Sequence, residues 1–422
     1  MARIIFTTLG SLGDLHPMLP VADRLRLRGH DLIFAVPTHL TAAVIGEGFV
    51  CNPIATPAFS GTTESMSPSS VRARIVERLP SLLDSTLAVL RKTCEGADLI
   101  VTHPHQLAAA MTAHKLGLRW ITLTAYPGLI PSGYTVPEPY WVPPLPTPIG
   151  RAINRLTWRG FRFSLRHLSG DIINATLESE GLARDDETFM PGGLSPHLTL
   201  VLSSPAYSPR QPDWPSHIKL TGYTPWDEPR GWRDPPELDA FLSDGAAPVV
   251  ITTSTAGERD APAFFAAALL ALGRVKRRGI LLLGSAAEKM EAAPGRELAP
   301  GVIGWPYLPL SRVVERSSLA VHHGGVGTSL TTLRHGRAAV AVPAIFDQWY
   351  NANRIRKLGV GRVLPWRQFT EERLAAQMEA LSSTPSYSEK AKELGAVIAS
   401  EDGAGRAADE IEMLLNGSKA AG

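Results

Sequence analysis

Several features are scarce or missing in this chain of 422 residues, and each excludes a class of protein. Its two cysteines, Cys51 and Cys94, are too few for a disulfide framework and too far apart for a metal-binding knuckle. No apolar run reaches the roughly 18 residues that a membrane-spanning helix needs. The N-terminus enters a predicted strand without a charged leader or a cleavage site, so we expect a cytoplasmic protein.

The chain also has no large excess of positive or negative charge. The formal net charge is +2, only 19% of residues are charged, and no block of Lys or Arg could follow a phosphate backbone. We therefore expect no nucleic-acid partner. No basic amphipathic helix stands out either, so any contact with a membrane is expected to be transient at most.

The dinucleotide-binding fingerprint is absent as well. The first strand-to-helix turn reads Gly10-Ser11-Leu12-Gly13, with the spacing G-x-x-G instead of G-x-G-x-x-G. The second predicted strand ends in Ala35-Val36-Pro37, where an acid that binds ribose would stand. Both observations argue against an NAD-dependent enzyme.

Predicted strands and helices alternate along the chain, and the chain is too long to form a single hydrophobic core. With 44% hydrophobic residues, a chain of this length favours two domains. The alternation predicts an α/β fold with two doubly wound parallel sheets that face each other across a cleft. The boundaries are an N-terminal domain 1–224, a proline-rich linker 225–248, a C-terminal domain 249–400, and a helix and tail 401–422 that can cross back to the first domain.

Polar clusters follow two neighbouring strands of the predicted second sheet. A glycine-rich loop, His322-His323-Gly324-Gly325-Val326-Gly327-Thr328, leads from a short apolar strand into a helix, and Asp347-Gln348 follows the next strand. Backbone N–H groups and the positive end of that helix would point at an anion. Because ligands bind at the carboxyl ends of parallel strands, the sequence predicts an anion site here.

Three motifs together resemble GT-B glycosyltransferases of the UDP-glycosyltransferase-like superfamily. They are the opening turn 10–17, the loop 322–328 and the stretch 347–354, and the likeness covers nearly the whole chain. It is strongest to the bacterial branch of rhamnosyltransferases, antibiotic glycosyltransferases and sterol glycosyltransferases. The resemblance implies that the second domain binds a nucleotide sugar and the first a hydrophobic small molecule or lipid, without cofactor or metal.

The resemblance assigns the donor contacts residue by residue. His323 matches the histidine that binds the diphosphate, Trp305 the aromatic ring that stacks on the nucleobase, and Asp347 with Gln348 the pair that binds sugar hydroxyls. The other donor candidates lie in loops at strand ends: Ser11, Gly13, Ser254, Thr255, Gly325, Gly327 and Thr328. Simpler interpretations are a capping or core histidine, a tryptophan buried for packing, and a solvated turn.

Chemistry is expected from the first domain. Asp14 matches the general base that deprotonates the acceptor hydroxyl, His16 is the second candidate, and His103 is placed to orient or assist Asp14. The alternative for Asp14 is a helix N-cap, and the two roles coexist only if its two oxygens divide the work. The proline-rich segment 126–150 is either a structural excursion or the wall of an acceptor cleft, formed by Tyr126, Tyr134, Tyr140 and Trp141.

The predicted reaction is inverting, metal-independent transfer of a hexose from a UDP- or dTDP-sugar. Thr331 stands where many UDP-sugar enzymes of the superfamily have a glutamate that binds ribose, which makes a thymidine nucleotide compatible with the site. The remaining alternatives are a nucleotide-sugar epimerase or hydrolase, and a non-catalytic protein that binds sugar nucleotides.

Overall fold

The structure is a computed structural model that describes residues 1–55, 68–137, 144–184, 193–253, 261–345 and 347–417. The strands of the first domain are β1 (Arg3–Thr7), β2 (Asp31–Pro37), β3 (Val50–Ile54), β4 (Leu99–Thr102), β5 (Arg119–Thr124), β6 (Thr199–Val201) and β7 (Ile218–Leu220). Its helices are α1 (Leu12–Leu15), α2 (Met18–Leu27), α3 (Thr41–Gly46), α4 (Pro68–Thr93), α5 (Leu107–Leu116) and α6 (Pro148–Ser179).

The first sheet is parallel throughout, with the order β3-β2-β1-β4-β5-β6-β7. Alternate residues of β1 enter the cores on its two faces: Ile4 and Phe6 pack with α2, and Ile5 packs with α4 and α5. Burial on both faces explains why these strands are continuous apolar runs.

The second domain repeats the plan. Its elements are α7 (Pro236–Ser243), β8 (Val249–Thr252), α8 (Ala261–Arg274), β9 (Gly279–Leu282), α9 (Ala286–Lys289), β10 (Arg296–Ala299), β11 (Val302–Trp305), α10 (Leu310–Val314), β12 (Leu319–His322), α11 (Val326–Arg334), β13 (Ala339–Ala341), α12 (Gln348–Leu358), β14 (Gly361–Val363), α13 (Glu371–Ser383), α14 (Pro385–Ala399) and α15 (Gly403–Gly417). The strand order is β10-β11-β9-β8-β12-β13-β14, and the pairing is parallel except at the edge pair β10–β11.

The predicted linker and the C-terminal helix connect the domains in different ways. Residues 225–248 are not linker throughout, because α7 lies within them and its Leu238 is fully buried beside Val250 in the second domain. Helix α15 lies on the first domain, where Ala407 and Ile411 join its core. The guanidinium of Arg28, the residue that caps the C-terminus of α2, binds Asp409 at 2.8 Å and Glu412 at 2.6 Å. The last helix therefore ties the end of the chain to the first domain.

Helix α6 is the element that differs most from the sequence-based expectation. It spans 32 residues, none of which was assigned to a helix. Its first half carries Arg151, Arg155 and Arg159 together with the exposed apolar side chains of Ile149 and Leu156. The expectation that the chain has no basic amphipathic helix is therefore wrong. Among the described residues, no helix combines the length and apolar character needed to cross a bilayer.

Both sheets reverse their strand order at one point, between β1 and β4 in the first sheet and between β8 and β12 in the second. At such a point neighbouring connections leave toward opposite faces of the sheet, which opens a crevice at the carboxyl ends of the strands. The turn after β1, the loop after β12 and the residues after β13 all emerge at these edges, so the fold brings the three sequence motifs to one cleft.

Candidate active site

The turn after β1 places Asp14 at the cleft. Ser11 caps the short helix α1, because its hydroxyl accepts a hydrogen bond from the Gly13 N–H at 3.2 Å, and Asp14 Oδ2 accepts one from the Ser11 N–H at 2.9 Å. Asp14 is thus the third residue of a capping box and not the N-cap itself. Ser11 and Gly13 were predicted to bind the donor; Ser11 is the N-cap of this box, and Gly13, which donates to its hydroxyl, is exposed.

The second oxygen of Asp14 faces His103, which follows the adjacent strand β4. Nε2 of His103 lies 3.4 Å from Asp14 Oδ1. Nδ1 of His103 accepts from the His105 N–H at 3.4 Å, which assigns the proton of the neutral ring to Nε2, the nitrogen nearer the carboxylate. The two oxygens of Asp14 therefore divide the work between capping the helix and facing the histidine.

Burial sets the protonation of this group. It raises the pKa of the Asp14 carboxyl above its ordinary value, against the opposing effects of the Ser11 N–H and of His105. Burial also lowers the pKa of His103 to about 4, so its ring is neutral at pH 7. A carboxylate with a raised pKa is a stronger base, and a neutral imidazole can hold it in place without cancelling its charge.

Two further histidines of the first domain are relevant to the site: His105 belongs to this cluster, and His16 lies beside the hinge, residues 225–228. His105 was not singled out from the sequence, although the spacing His103-Pro104-His105 was visible; its ring centre lies 5.2 Å from that of His103. His16 ends α1 beside the hinge instead, where Asp227 opposes the burial that lowers the pKa of His16 to about 4.

The glycine-rich loop after β12 forms the opposite side of the cleft. A Cβ on Gly325 would lie 2.3 Å from Nε2 of His323, so only glycine leaves room for this ring. Gly324 has a φ of +89°, and a Cβ there would lie 2.9 Å from the Gln348 carbonyl oxygen. Gly325 is the N-cap of α11. The first turn of this helix, beside His323, includes the N–H groups of Gly327 and Thr328.

The two histidines of this loop have different environments. His322 is fully buried, and its Nδ1 accepts from the Gly324 N–H at 3.0 Å, which shapes the loop. His323 is half-buried at the edge of the cleft, and burial lowers its pKa to about 4. A neutral His323 can donate one N–H to a ligand. The ring contact with Gly325 favours a shaped binding position over a simple cap.

Asp347 ties the helix α12 to the glycine-rich loop. Its Oδ2 accepts from the Val326 N–H at 3.3 Å and from Nδ2 of Asn351 at 3.1 Å. Burial raises the pKa of Asp347 to about 6, and the charge of Asp14 adds to this increase. The turn that carries Asp14 and the start of α12 that carries Asp347 both lie at the carboxyl ends of their sheets. Asp347 is therefore not a solvated turn residue.

Gln348 is buried and partly committed to the protein. Its Oε1 accepts from the N–H groups of Ala344 and Ile345 at 2.8 and 3.0 Å and so closes the turn that leads into α12. Its Nε2 has no hydrogen-bond partner among the described residues. The amide therefore keeps donors for a ligand while its oxygen shapes the loop.

Trp305, at the end of β11, is buried in the second domain. It is 5% exposed and packs with Leu238, Val250 and Ile303 in the core beneath α7, and its ring lies beside Gly295. This favours the packing interpretation over stacking on a nucleobase. The sequence could not separate the two, because a tryptophan at a strand end suits both.

The predicted acceptor segment is only partly within the described residues. Tyr126 meets Tyr350 of the second domain edge to face, with ring centres 5.4 Å apart. The hydroxyl of Tyr134 accepts from Arg151 of α6 at 2.9 Å, so this tyrosine anchors the segment to the helix. Tyr140 and Trp141 lie outside the described residues, as do the predicted donor contacts Ser254 and Thr255.

Contacts between the domains fix the position of α12, which sequence reasoning missed. The Tyr207 hydroxyl donates to Asn351 Oδ1 at 3.0 Å, Arg354 Nε donates to the Tyr207 carbonyl at 2.7 Å, and Ser208 hydrogen-bonds Tyr350. The three residues 350, 351 and 354 share one helix face. They dock α12, the helix that Asp347 precedes, on the first domain.

A pocket of about 260 Å³ opens at the hinge, beyond the glycine-rich loop along α11. Its lining combines the hinge residues Trp226 and Asp227 with Ser311 of α10 and with Thr331 and Arg334 of α11. The Thr331 hydroxyl hydrogen-bonds that of Tyr223 at 2.8 Å. A ligand that extends from the loop toward the hinge would enter this pocket.

Two facing doubly wound domains, with polar loops at both crevices, define the GT-B fold. Comparisons with known proteins agree. The family described as "Erythromycin biosynthesis protein CIII-like, C-terminal domain" matches residues 283–414. The O-mycaminosyltylonolide 6-deoxyallosyltransferase of Streptomyces fradiae is 29% identical over 97% of each chain.

Solved structures show the same fold over nearly the whole chain. The glycosyltransferase of kitacinnamycin superposes with a TM-score of 0.73 at 22% identity and covers 98% of this chain and 99% of its own. The spinosyn rhamnosyltransferase complexed with thymidine diphosphate has a TM-score of 0.67 at 16% identity, with 98% and 99% covered. The chain has the GT-B fold and is a glycosyltransferase, similar over nearly its whole length to antibiotic glycosyltransferases.

Proposed function

We propose that this glycosyltransferase is an inverting, metal-independent enzyme that moves a hexose from a nucleoside diphosphate to a hydroxyl of a hydrophobic acceptor. The observation that carries the proposal is the pairing of Asp14 with His103 on one side of the cleft, opposite Asp347 and the glycine-rich loop. A base and a diphosphate site then lie on opposite sides of the sugar, as inversion requires.

The reaction begins with the acceptor hydroxyl beside Asp14. Asp14 takes the hydroxyl proton as the oxygen attacks the anomeric carbon, the bond from that carbon to the diphosphate breaks, and the diphosphate leaves with its electron pair. His103 donates from Nε2 toward Oδ1 and keeps the carboxylate directed at the acceptor. General-base assistance of this kind contributes on the order of 10² to 10⁴ in rate.

Departure of the diphosphate is assisted from the second domain. The N–H groups at the start of α11 and the neutral His323 ring donate to phosphate oxygens, whose charge grows as the bond breaks. Asp347 and Nε2 of Gln348 bind sugar hydroxyls. The N–H groups of α11 and the His323 ring thus stabilise the charge on the leaving diphosphate, which a divalent cation does in metal-dependent transferases.

The nucleoside is assigned to the hinge pocket. Thr331 lies about 5 Å along α11 from Thr328, since each helical residue rises about 1.5 Å, so the ribose would reach its side chain from the phosphate loop. Thr331 has no carboxylate to bind a 2′-hydroxyl. A relative in fold was solved with thymidine diphosphate, which supports a dTDP-sugar as donor with a UDP-sugar as the alternative.

The test is a panel of UDP- and dTDP-sugars incubated with and without hydrophobic alcohols. We expect a glycoside of inverted anomeric configuration, formed equally well in the presence of a metal chelator. Free sugar alone would establish a hydrolase, a rearranged nucleotide sugar an epimerase, and binding without turnover a non-catalytic protein. Comparing the increase in melting temperature with thymidine and uridine diphosphates identifies the preferred nucleotide.

A further inference from the structure

Helix α6 exposes an apolar stripe along its first half. Ile149, Ile153, Leu156 and Phe163 are 77%, 45%, 65% and 68% exposed, which is unusual for side chains of this size on one helix. Gly150, Asn154 and Trp158 hold the opposite side of the helix against the domain. The first half of α6 is therefore a surface helix with an apolar face turned to solvent.

The arrangement around the helix axis separates apolar and basic side chains. At about 100° per residue, the four apolar side chains lie within a sector of about 80°, with Gly160 among them. The arginines 151, 155, 159, 162 and 166 fall within a second sector of about 80° on one flank. No Asp or Glu occurs between residues 148 and 170. Helices with an apolar face and an arginine-rich flank are typical of membrane interfaces.

We infer that the first half of α6 docks on an anionic lipid bilayer. The stripe would enter the boundary between headgroups and acyl chains, while exposed arginines such as Arg159 extend their guanidinium groups to the lipid phosphates. Arg155 on the same flank pairs with Asp213 at 3.5 Å. Opposite charge is the argument for this occupant. A second copy of the chain, apposed by the same face, would bring one arginine flank against another.

Docking through α6 would place the acceptor side of the cleft near the membrane. This consequence rests on the proposed function. Nδ2 of Asn154 donates to the Gly133 carbonyl at 2.8 Å, and the Trp158 indole N–H donates to the Thr135 carbonyl at 3.1 Å. The segment 126–137 that α6 supports also carries Tyr126, which contacts the second domain. A hydrophobic acceptor dissolved in the bilayer would thus reach the acceptor side of the cleft without crossing water.

Flotation of the full chain with vesicles tests the docking. We expect it to float with an equimolar mixture of phosphatidylcholine and phosphatidylglycerol and to stay behind with phosphatidylcholine alone. Leu156→Ser should lower the partition coefficient about tenfold, because the side chain no longer leaves water on binding. Arg159→Gln should lower it about fivefold. Leu270→Ser and Arg367→Gln, at exposed positions of the second domain, are the matched controls.

Three results would overturn the inference: equal flotation with both kinds of vesicle, equal losses in the control variants, or a dimer in solution that Leu156→Ser dissociates. The last would identify the stripe as an interface between copies. Flotation needs no turnover, and the nucleotide-dependent increase in melting temperature needs no vesicle. Failure of the docking and failure of the proposed reaction are therefore separate outcomes.

Discussion

The two sides of the cleft share one local arrangement, an aspartate at the start of a helix, but the aspartates have different partners. Each places an aspartate at the start of a helix after a parallel strand, Asp14 before α2 and Asp347 at α12, and burial raises the pKa of both. Asp14 holds its own helix with one oxygen and faces a histidine with the other. Asp347 uses Oδ2 to join the glycine-rich loop to its helix.

The difference lies in which partner the tertiary structure supplies. Beside Asp14 stands His103, a side chain from the adjacent strand that can orient a reactive carboxylate. Beside Asp347 stand a backbone N–H and an amide, which fix a binding loop. A carboxylate at a helix start therefore acquires a chemical or a binding role from its neighbours. The following predictions test that division.

The largest effect is expected at Asp14. Asp14→Asn keeps the shape and removes the base, so transfer should fall on the order of 10³-fold. The increase in melting temperature with thymidine diphosphate should stay at the wild-type value, because the donor binds the other domain. Transfer within tenfold of wild type would remove Asp14 as the base and break the comparison.

The next effect is expected at His103, which acts through Asp14. His103→Ala should lower kcat about 100-fold with little change in the KM for the donor. The pH profile of kcat should also shift, because the carboxylate loses the N–H that faces Oδ1. His103→Gln, which can still donate, should recover part of the rate. An unchanged pH profile would assign His103 a structural role only.

The third prediction concerns the effect of Asp347 on the free energy of unfolding. With a pKa of about 6, the native carboxyl retains its proton up to a higher pH than the unfolded chain, whose pKa is near 4. The native state binds more protons between these values, so stability falls as the pH rises through them. Asp347→Asn removes this loss and should be about 2 kcal/mol more stable than wild type at pH 7.

Urea denaturation at pH 4 and pH 7 measures this difference, which should nearly vanish at the lower pH. The matched control is Asp244→Asn, at an exposed position. A variant less stable than wild type at pH 7 would mean that the hydrogen bonds of Asp347 outweigh the cost of its burial. Asp347 would then be a structural residue first.

The smallest effect is expected at His323. His323→Ala removes one hydrogen bond to a charged phosphate and should weaken binding of thymidine diphosphate about tenfold. Calorimetric titration measures the dissociation constant directly. His322→Ala, at the buried neighbour, should instead lower stability, because the Gly324 N–H loses its acceptor. Equal dissociation constants for wild type and His323→Ala would remove His323 from the phosphate site.

Much of the fold followed from local patterns. Apolar runs bounded by glycine and proline marked β1, β8 and β12, and the helix breaks near Pro385 and Gly403 match the starts of α14 and α15. Strands such as β6 and β7 were missed because three residues leave too little periodicity to detect. Helix α6 was missed because its exposed apolar stripe does not resemble a core-facing pattern.

For the candidate site, the sequence by itself determined which loops carry polar groups, since glycine spacing and strand ends are local properties. Only the tertiary structure decided which of those groups meet. The 3.4 Å approach of His103 to Asp14, the coupling of Asp14 with Asp347 and the burial of Trp305 each join segments far apart in the chain. Such distances depend on how sheets and domains pack, and no local pattern contains that information.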